Sequence, residues 1–477
     1  MEASRHDSFR SRISGSKLVW LIASLISLVG LFSPNPLETA VASFLPVVLL
    51  QILWRPGEPQ VLLMALWMQS IQVITPLVVF NRDGLSMASV YSSQAYSNAL
   101  YFSALALISL ALSARLGAGS SLRRDLLKSS ILEDRLNPKS LFQCYVLFLG
   151  VHLVIPFIAS QAGGFAQLVL PLSSVRLVFA YYIIKSNLRK RKIGLDMLAI
   201  LIIETIIGLS GFFASFKLIY IVMVLAALSV GSGLRNLFRP QALALITMFV
   251  ILVSYWQFIK PTYRSFASQG SISQVVTVPL SERINFHFSA LSKIKPDDLA
   301  LGLDVALDRF GYLKFFAGSI QQVPSVVPYQ GGRLWNEAIE FSLKPRVLFP
   351  DKGVANDSDR TNAFSGIRVT GVDKGTSISI GYVGESYIDF GFPLMLGPIA
   401  AMGWLFGRLY RILILMQPVT PLNVGAAIIL ILGTATTYES SNLKLLPAVL
   451  LSFFTYWLLL KLVHNFGARY WAWLTLP

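Results

Sequence analysis

The sequence predicts an all-α polytopic integral membrane protein, with about twelve transmembrane helices and one large extracytoplasmic loop containing short amphipathic helices. Three observations predict it. Hydrophobic residues fill 54% of 477 positions and charged residues only 13%, and the mean hydropathy of +0.62 is more than a soluble globular chain carries. Apolar runs of span length follow one another along most of the chain. Basic residues gather in alternate links between these runs, as the positive-inside bias requires.

Taken in order, the apolar runs fall near 18–33, 37–54, 60–80, 95–115, 141–160, 165–186, 194–213, 215–233, 240–259, 389–415, 422–438 and 445–464. Arg5, Arg10, Arg12 and Lys17 precede the first run, a pattern shared with signal peptides. The number of spans that follow favours an uncleaved first helix. With the N-terminus in the cytoplasm, the cytoplasmic links carry Arg115, Arg123, Arg124, Lys128, Arg135 and Lys139, then Lys185 and Arg189 to Lys192. Arg235 and Arg239, Arg408 and Arg411, and Lys461 and Arg469 follow. The opposite links are poor in cations. Both termini are then cytoplasmic, and the chain divides into an N-terminal bundle (1–259), an extracytoplasmic polar segment (260–385) and C-terminal spans (386–477).

Inside the polar segment, Pro296-Asp297-Asp298 reads as a helix start, with Leu299, Leu303, Leu307 and Phe310 at helical spacing. A helix over 296–313 with one apolar face suits the membrane interface. A second short helix is expected from Arg333 to Leu343, ending before Pro345. From Gly353 to Gly384, Gly, Ser, Asn and Asp dominate without periodicity, which predicts a mobile loop over the site.

Composition also excludes chemistry. The net charge of +16 is distributed as membrane topology demands, so it implies no nucleic-acid partner. Cys144 is the sole cysteine, which rules out an intrachain disulfide or a thiolate metal cluster, and His6, His152, His287 and His464 are too scattered for a zinc motif. Asp357 and Asp359 have the spacing of a short metal-binding pair, but so does much polar loop. No metal and no cofactor is expected.

Charged side chains at the outward ends of spans are the next signal. Arg176, Lys217, Lys260 and Arg264 lie there, against the positive-inside bias. Arginine binds two phosphate oxygens with one planar fork, and lysine supplies a compact charge. Snorkelling to the interface explains any one of them equally well. Glu204, near mid-span, requires a partner or a proton, and Arg176 or Lys217 are the candidates.

Within the loop, Arg333 follows Gly331-Gly332 and neighbours Arg346, Lys352, Arg360 and Arg368. Arg333 with Glu337, and Glu340 with Lys344, also have the spacing of ordinary helix-surface pairs. Glu385 closes the Gly-rich stretch at the wet end of a hydrophobic run, where burial raises a carboxyl toward the range of a general base; a carboxylate that only stabilises a helix N-terminus is the structural alternative. Asp389, His287 and Glu337 are its rivals. Trp256, Tyr263, Trp335, Tyr382 and Tyr387 offer rings that stack on sugars or anchor the interface.

The segments PRVLFPDK and GESYIDFGFPLMLG, with the many-helix plan and the large loop before the last spans, resemble the Wzy-type O-antigen and exopolysaccharide polymerases of bacteria. That resemblance implies a GT-C-like membrane glycosyltransferase of the bacterial inner membrane with its active loop in the periplasm. Its donor would be a glycan on undecaprenyl pyrophosphate and its acceptor a lipid-linked repeat unit, joined by metal-independent, inverting displacement. Glu385, Arg333 and Arg346 then become the catalytic candidates, and Arg176, Lys217, Arg264, Arg360, Lys352, Tyr387 and Trp335 the pyrophosphate and sugar contacts. Membrane lipid, a chain-length regulator and a flippase are the implied partners. Related O-antigen ligases carry a histidine-asparagine pair near the position of Glu385-Ser386, a departure that favours a polymerase. A ligase, or a transporter of lipid-linked oligosaccharides, remains the alternative; the chain shows none of the internal repeats that transporters often carry.

Overall fold

The computed structural model describes residues 17–90, 94–213, 215–230, 234, 240–271, 276–346, 348–349, 351–353, 355–371 and 377–467. Arg5, Arg10, Arg12, Arg235, Arg239 and Arg469 of the expected charge pattern lie outside them. The described chain is helical and contains no strand. Its principal helices are α1 (Lys17–Gly30), α2 (Pro36–Leu53), α3 (Val61–Arg82), α4 (Ala95–Ala118), α5 (Arg123–Glu133), α6 (Pro138–Gln161) and α7 (Arg176–Arg189). Next come α8 (Leu195–Leu209), α9 (Lys217–Ser229), α10 (Pro240–Ala267), α11 (Leu280–Leu291), α12 (Pro296–Phe310) and α13 (Lys314–Gln322). The last are α14 (Arg333–Leu343), α15 (Asp357–Phe364), α16 (Tyr382–Phe390), α17 (Leu396–Leu415), α18 (Pro421–Thr434) and α19 (Asn442–Phe466).

Among the described residues, eight helical stretches are long and apolar enough to cross a membrane, and α1, α9 and α18 are shorter apolar helices. α8 is also short and apolar, apart from Asp196 and Glu204. The bilayer allows such segments because a helix satisfies its own backbone hydrogen bonds.

α17 lies directly along α4. Gly403 and Gly407 make this possible: a Cβ on Gly403 would stand 2.4 Å from the Leu110 carbonyl oxygen, and one on Gly407 2.0 Å from that of Ala114. Small residues four apart let two backbones touch, which is how apolar helices associate where lipid is as apolar as they are.

The two ends of the bundle are chemically distinct. At one, the Arg55 Nη2 donates to the Arg115 and Gly119 carbonyls, and the Arg411 Nη1 to those of Ala118 and Ser120. At the other, Arg82 at the end of α3 pairs with Asp304 of α12, and Gln72 bonds Tyr312 and the turn after α18. The polar segment and the 435–441 turn therefore share one end.

α12 begins where the Pro296 signal put it, and its Asp298 side chain accepts from the Lys295 N–H. It packs between α3 and α10 instead of lying alone at the interface: Gly302 sits against the Ser254 carbonyl and Gly311 against Pro76. α14 spans the expected residues. The Gly353–Gly384 stretch differs from expectation, because it contains α15 and the start of α16. Asp357 and Asp359 occupy the first turn of α15, where carboxylates complement the helix dipole. The acidic first turn thus accompanies a helix that has no apolar period.

Candidate active site

α16 is the nine-residue helix on which the polar end is assembled. It starts at Gly381, whose φ of +94° and closeness to the Tyr438 carbonyl oxygen, 2.8 Å from where a Cβ would lie, exclude a side chain. Its polar side chains then tie it to several other elements. The Tyr382 hydroxyl donates to the Gln69 Oε1 of α3 at 2.7 Å. Ser386 accepts the Trp335 indole N–H of α14 at 3.0 Å, and the Tyr387 hydroxyl donates to the Val323 carbonyl. Asp389 accepts the backbone N–H groups of Leu334 and Trp335 at 3.1 and 2.9 Å, satisfying the first turn of α14.

Glu385 is 1% exposed. Its Oε1 lies 3.2 Å from the Arg360 Nη1 of α15, and its Oε2 accepts the Asn442 backbone N–H at the start of α19 at 2.7 Å. The Arg360 Nη2 also bonds Glu337 of α14, and the Arg333 guanidinium stands 3.9 Å from the other Glu337 oxygen. A chain of alternating charge thus runs from exposed Arg333 through Glu337 and Arg360 to the buried Glu385. Beside it, Asp357 is buried and faces the Lys444 ammonium at 2.6 Å.

Burial pushes the Glu385 carboxyl up to about 7, and Asp357 adds to the rise; Arg360 and the Asn442 N–H oppose it. Desolvation disfavours the charged form more than one shared guanidinium restores it. A carboxyl in this range exchanges protons at neutral pH. Asp389 is also raised by burial, against the N–H groups it receives.

Next to this centre is a cleft of about 580 Å³, lined by Glu337, Glu340, Phe341, Lys344, Phe349 and Leu443 among others. The Lys352 ammonium packs 3.3 Å from the centre of the Phe341 ring on the rim, and donates to the Phe341 and Lys344 carbonyls. Its charge therefore serves the C-terminus of α14.

The structure divides the sequence-predicted residues into four groups. Glu385, Arg360, Arg333, Trp335 and Tyr387 come together on α14, α15 and α16. Arg346 is at the cleft margin, where its Nη2 donates to the Gly353 carbonyl, so Arg360 and not Arg346 is the cation beside Glu385. Lys217 and Arg264 gather elsewhere with Lys260 and with Arg309 of α12, near Glu439. Arg176 stands apart: it is fully engaged by Glu204, with Nε to Oε1 at 2.7 Å and Nη2 to Oε2 at 3.0 Å, and the Tyr145 hydroxyl joins them. This bidentate pair supplies the partner Glu204 required and leaves Arg176 no free fork for a substrate.

Other roles also change. Trp335 and Tyr387 are buried, as are Trp256, Tyr263 and Tyr382, so these rings are packed rather than presented as open stacking platforms. His287 accepts from the Tyr255 hydroxyl at Nδ1 and donates from Nε2 to the Leu209 carbonyl, and burial lowers its pKa. Both its ring nitrogens are committed to holding α11 on α8 and α10. Gly331-Gly332 closes a turn with φ of +61° and +93° against Phe390 and Asp389, which explains the pair without a ligand. A Cβ on Gly391 would meet the Tyr329 ring, whereas one on Gly397 would meet nothing within 4 Å. Sequence reading missed Asn442, Lys444 and Arg309; only their tertiary neighbours mark them.

Among the described residues, these features define an all-helical chain with eight helices fit to cross a membrane and a buried carboxylate–guanidinium centre in its polar segment. Residues 121–411 match the family described as "Domain of unknown function (DUF8712)", and the chain belongs to that family. The matched region contains Arg360 and Glu385 but neither Asn442 nor Lys444. Comparison with curated proteins and with solved structures returned no match.

Proposed function

We propose that this protein is a membrane glycosyltransferase that polymerises oligosaccharide units linked to undecaprenyl pyrophosphate, with Glu385 as general base. One observation carries the reading. A carboxyl 1% exposed and held up to about 7 sits beside a guanidinium, on the polar segment between membrane-spanning helices. Under this reading α1, α8, α9 and α18 complete a set of about twelve spans, and the polar segment faces the periplasm of a bacterial inner membrane.

Glu385 takes the proton from an acceptor sugar hydroxyl. The freed oxygen forms a bond to the donor's anomeric carbon, while the bond from that carbon to the pyrophosphate oxygen breaks with inversion. The lipid pyrophosphate leaves with the electron pair. Arg360 and Arg333 stabilise that developing charge, as preorganised cations do when water is excluded. Glu385 is covered in this structure, so this reading requires Arg360 to turn toward the cleft on substrate binding, away from Glu385 and toward Glu337, which already holds one of its nitrogens. The same displacement onto a lipid A core would make the protein a ligase; the departure from the ligase pair at Glu385-Ser386 favours the polymerase.

The test is to incubate the purified, detergent-solubilised protein with lipid-linked repeat units, with and without chelator, and resolve products by length. A ladder insensitive to chelator supports the reading. Unextended units together with movement of those units across liposomes would replace it with transport.

A further inference from the structure

A second concentration of charge lies on the other side of the 435–441 turn. Lys217 opens α9, Lys260 and Arg264 lie near the end of α10, and Arg309 stands near the end of α12. Arg309 is close enough to act electrostatically on the other three, and Lys217 and Arg264 act on Lys260. None of the four makes an ion pair with a carboxylate among the described residues. Glu439 acts electrostatically on Lys217, Lys260 and Arg309, and it accepts from the Gln72 amide at 3.0 Å.

Lys217, Lys260 and Arg264 are half-buried and Arg309 is exposed, and like charges gathered at the end of an apolar bundle repel one another. Other contacts orient them without neutralising them. The Lys217 ammonium lies 4.8 Å from the Phe310 ring centre, and the Arg264 guanidinium 4.5 Å from that of Phe212, where its Nε also donates to the Phe212 carbonyl. Lys217 is moreover the first residue of a helix, where the dipole disfavours a cation and favours an anion. Snorkelling explains one cation reaching the interface, but not four converging from three helices onto one place.

We infer that Lys217, Lys260, Arg264 and Arg309 form an anion site for a phosphate-bearing group, separate from the Glu385 centre. The cations supply several charge-assisted donors of the kind that pyrophosphate oxygens accept. Resting on the polymerase reading, the site holds the pyrophosphate of the second lipid-linked substrate: that reaction brings two such groups to one face of the protein, and the Glu385 centre serves one. Glu439 keeps the site from binding too tightly to release.

The test is binding of farnesyl pyrophosphate to the detergent-solubilised full chain, with inorganic pyrophosphate and farnesol as parallel probes. Measurements use wild type, K217M/R309M, E439Q and E385Q. Loss of even one charged hydrogen bond is expected to weaken pyrophosphate binding in K217M/R309M by about tenfold or more. E439Q removes the opposing charge of Glu439 and is expected to bind severalfold more tightly, a gain that misfolding cannot produce. E385Q is expected to retain this binding whether or not it extends chains, so failure of the polymerase reading and failure of the anion site are told apart. Farnesyl pyrophosphate binding above inorganic pyrophosphate assigns the group to a lipid; equal binding assigns it to a soluble anion. Unchanged affinity in both K217M/R309M and E439Q, or farnesol binding as well as its pyrophosphate, would overturn the site.

Discussion

Glu385→Gln isolates the electrostatic cost of the centre. In the fold this carboxyl titrates at about 7, against 4.5 outside it. Its pKa is raised, so the neutral form's contribution to stability is whole below about pH 4.5 and is lost as pH climbs through 7. Worked through, ionising Glu385 disfavours the fold by about 3 kcal/mol at pH 8 and by about 1 kcal/mol or less at pH 5. Glutamine keeps the shape, cannot ionise, and mimics the neutral form. The variant is therefore expected to gain about 2 kcal/mol on wild type between pH 5 and pH 8. Tryptophan fluorescence during thermal unfolding in detergent measures it, as a gap in midpoint of a few degrees that opens with pH. A gap that stays constant, or that closes as pH rises, would refute the assignment of a raised carboxyl at this position.

Three further outcomes follow from particular contacts. Arg176→Met leaves the buried Glu204 without its guanidinium and is expected to destabilise by about 3–5 kcal/mol; adding Glu204→Gln should recover much of the loss, read as thermal midpoint and monodisperse yield. Gly381→Ala forces a Cβ into a backbone at φ +94° and against the Tyr438 carbonyl, at a cost of about 1–3 kcal/mol by the same midpoint measurement. Gly407→Val places a side chain where the Ala114 carbonyl would stand 2.0 Å from its Cβ; α4 and α17 must separate, and a large drop in folded yield is expected on size-exclusion chromatography.

Much of this was legible from local pattern. Apolar runs mark the spans, the Pro296 start and the Arg333–Leu343 helix follow from their own residues, and Glu204 demanded a partner that Arg176 provides. Glu385 stood out as a carboxylate at the wet end of a run. What sequence did not display is pairing across distance. Arg360 reaches Glu385 over 25 positions, and Asn442 does so over 57, with no period or motif to join them. α15 was hidden because it has no apolar stripe; acidic first-turn residues and burial of Ser358, Thr361 and Phe364 hold it instead. Arg309 carries no signal of its own in the sequence, and only the packing of α12 against α10 sets it within the field of Lys260.

Under the proposed function, Glu385 takes the proton of the attacking hydroxyl. The most direct measurement of that step is the initial rate of chain growth on lipid-linked repeat units as a function of pH, for wild type and Glu385→Gln at equal amounts of inserted protein. The wild-type rate is expected to rise about tenfold per pH unit up to about 7 and then level, and the Gln variant to be slower by about 100-fold or more at every pH above it. A wild-type profile flat through 7, or chain growth at an undiminished rate in the variant, would contradict it.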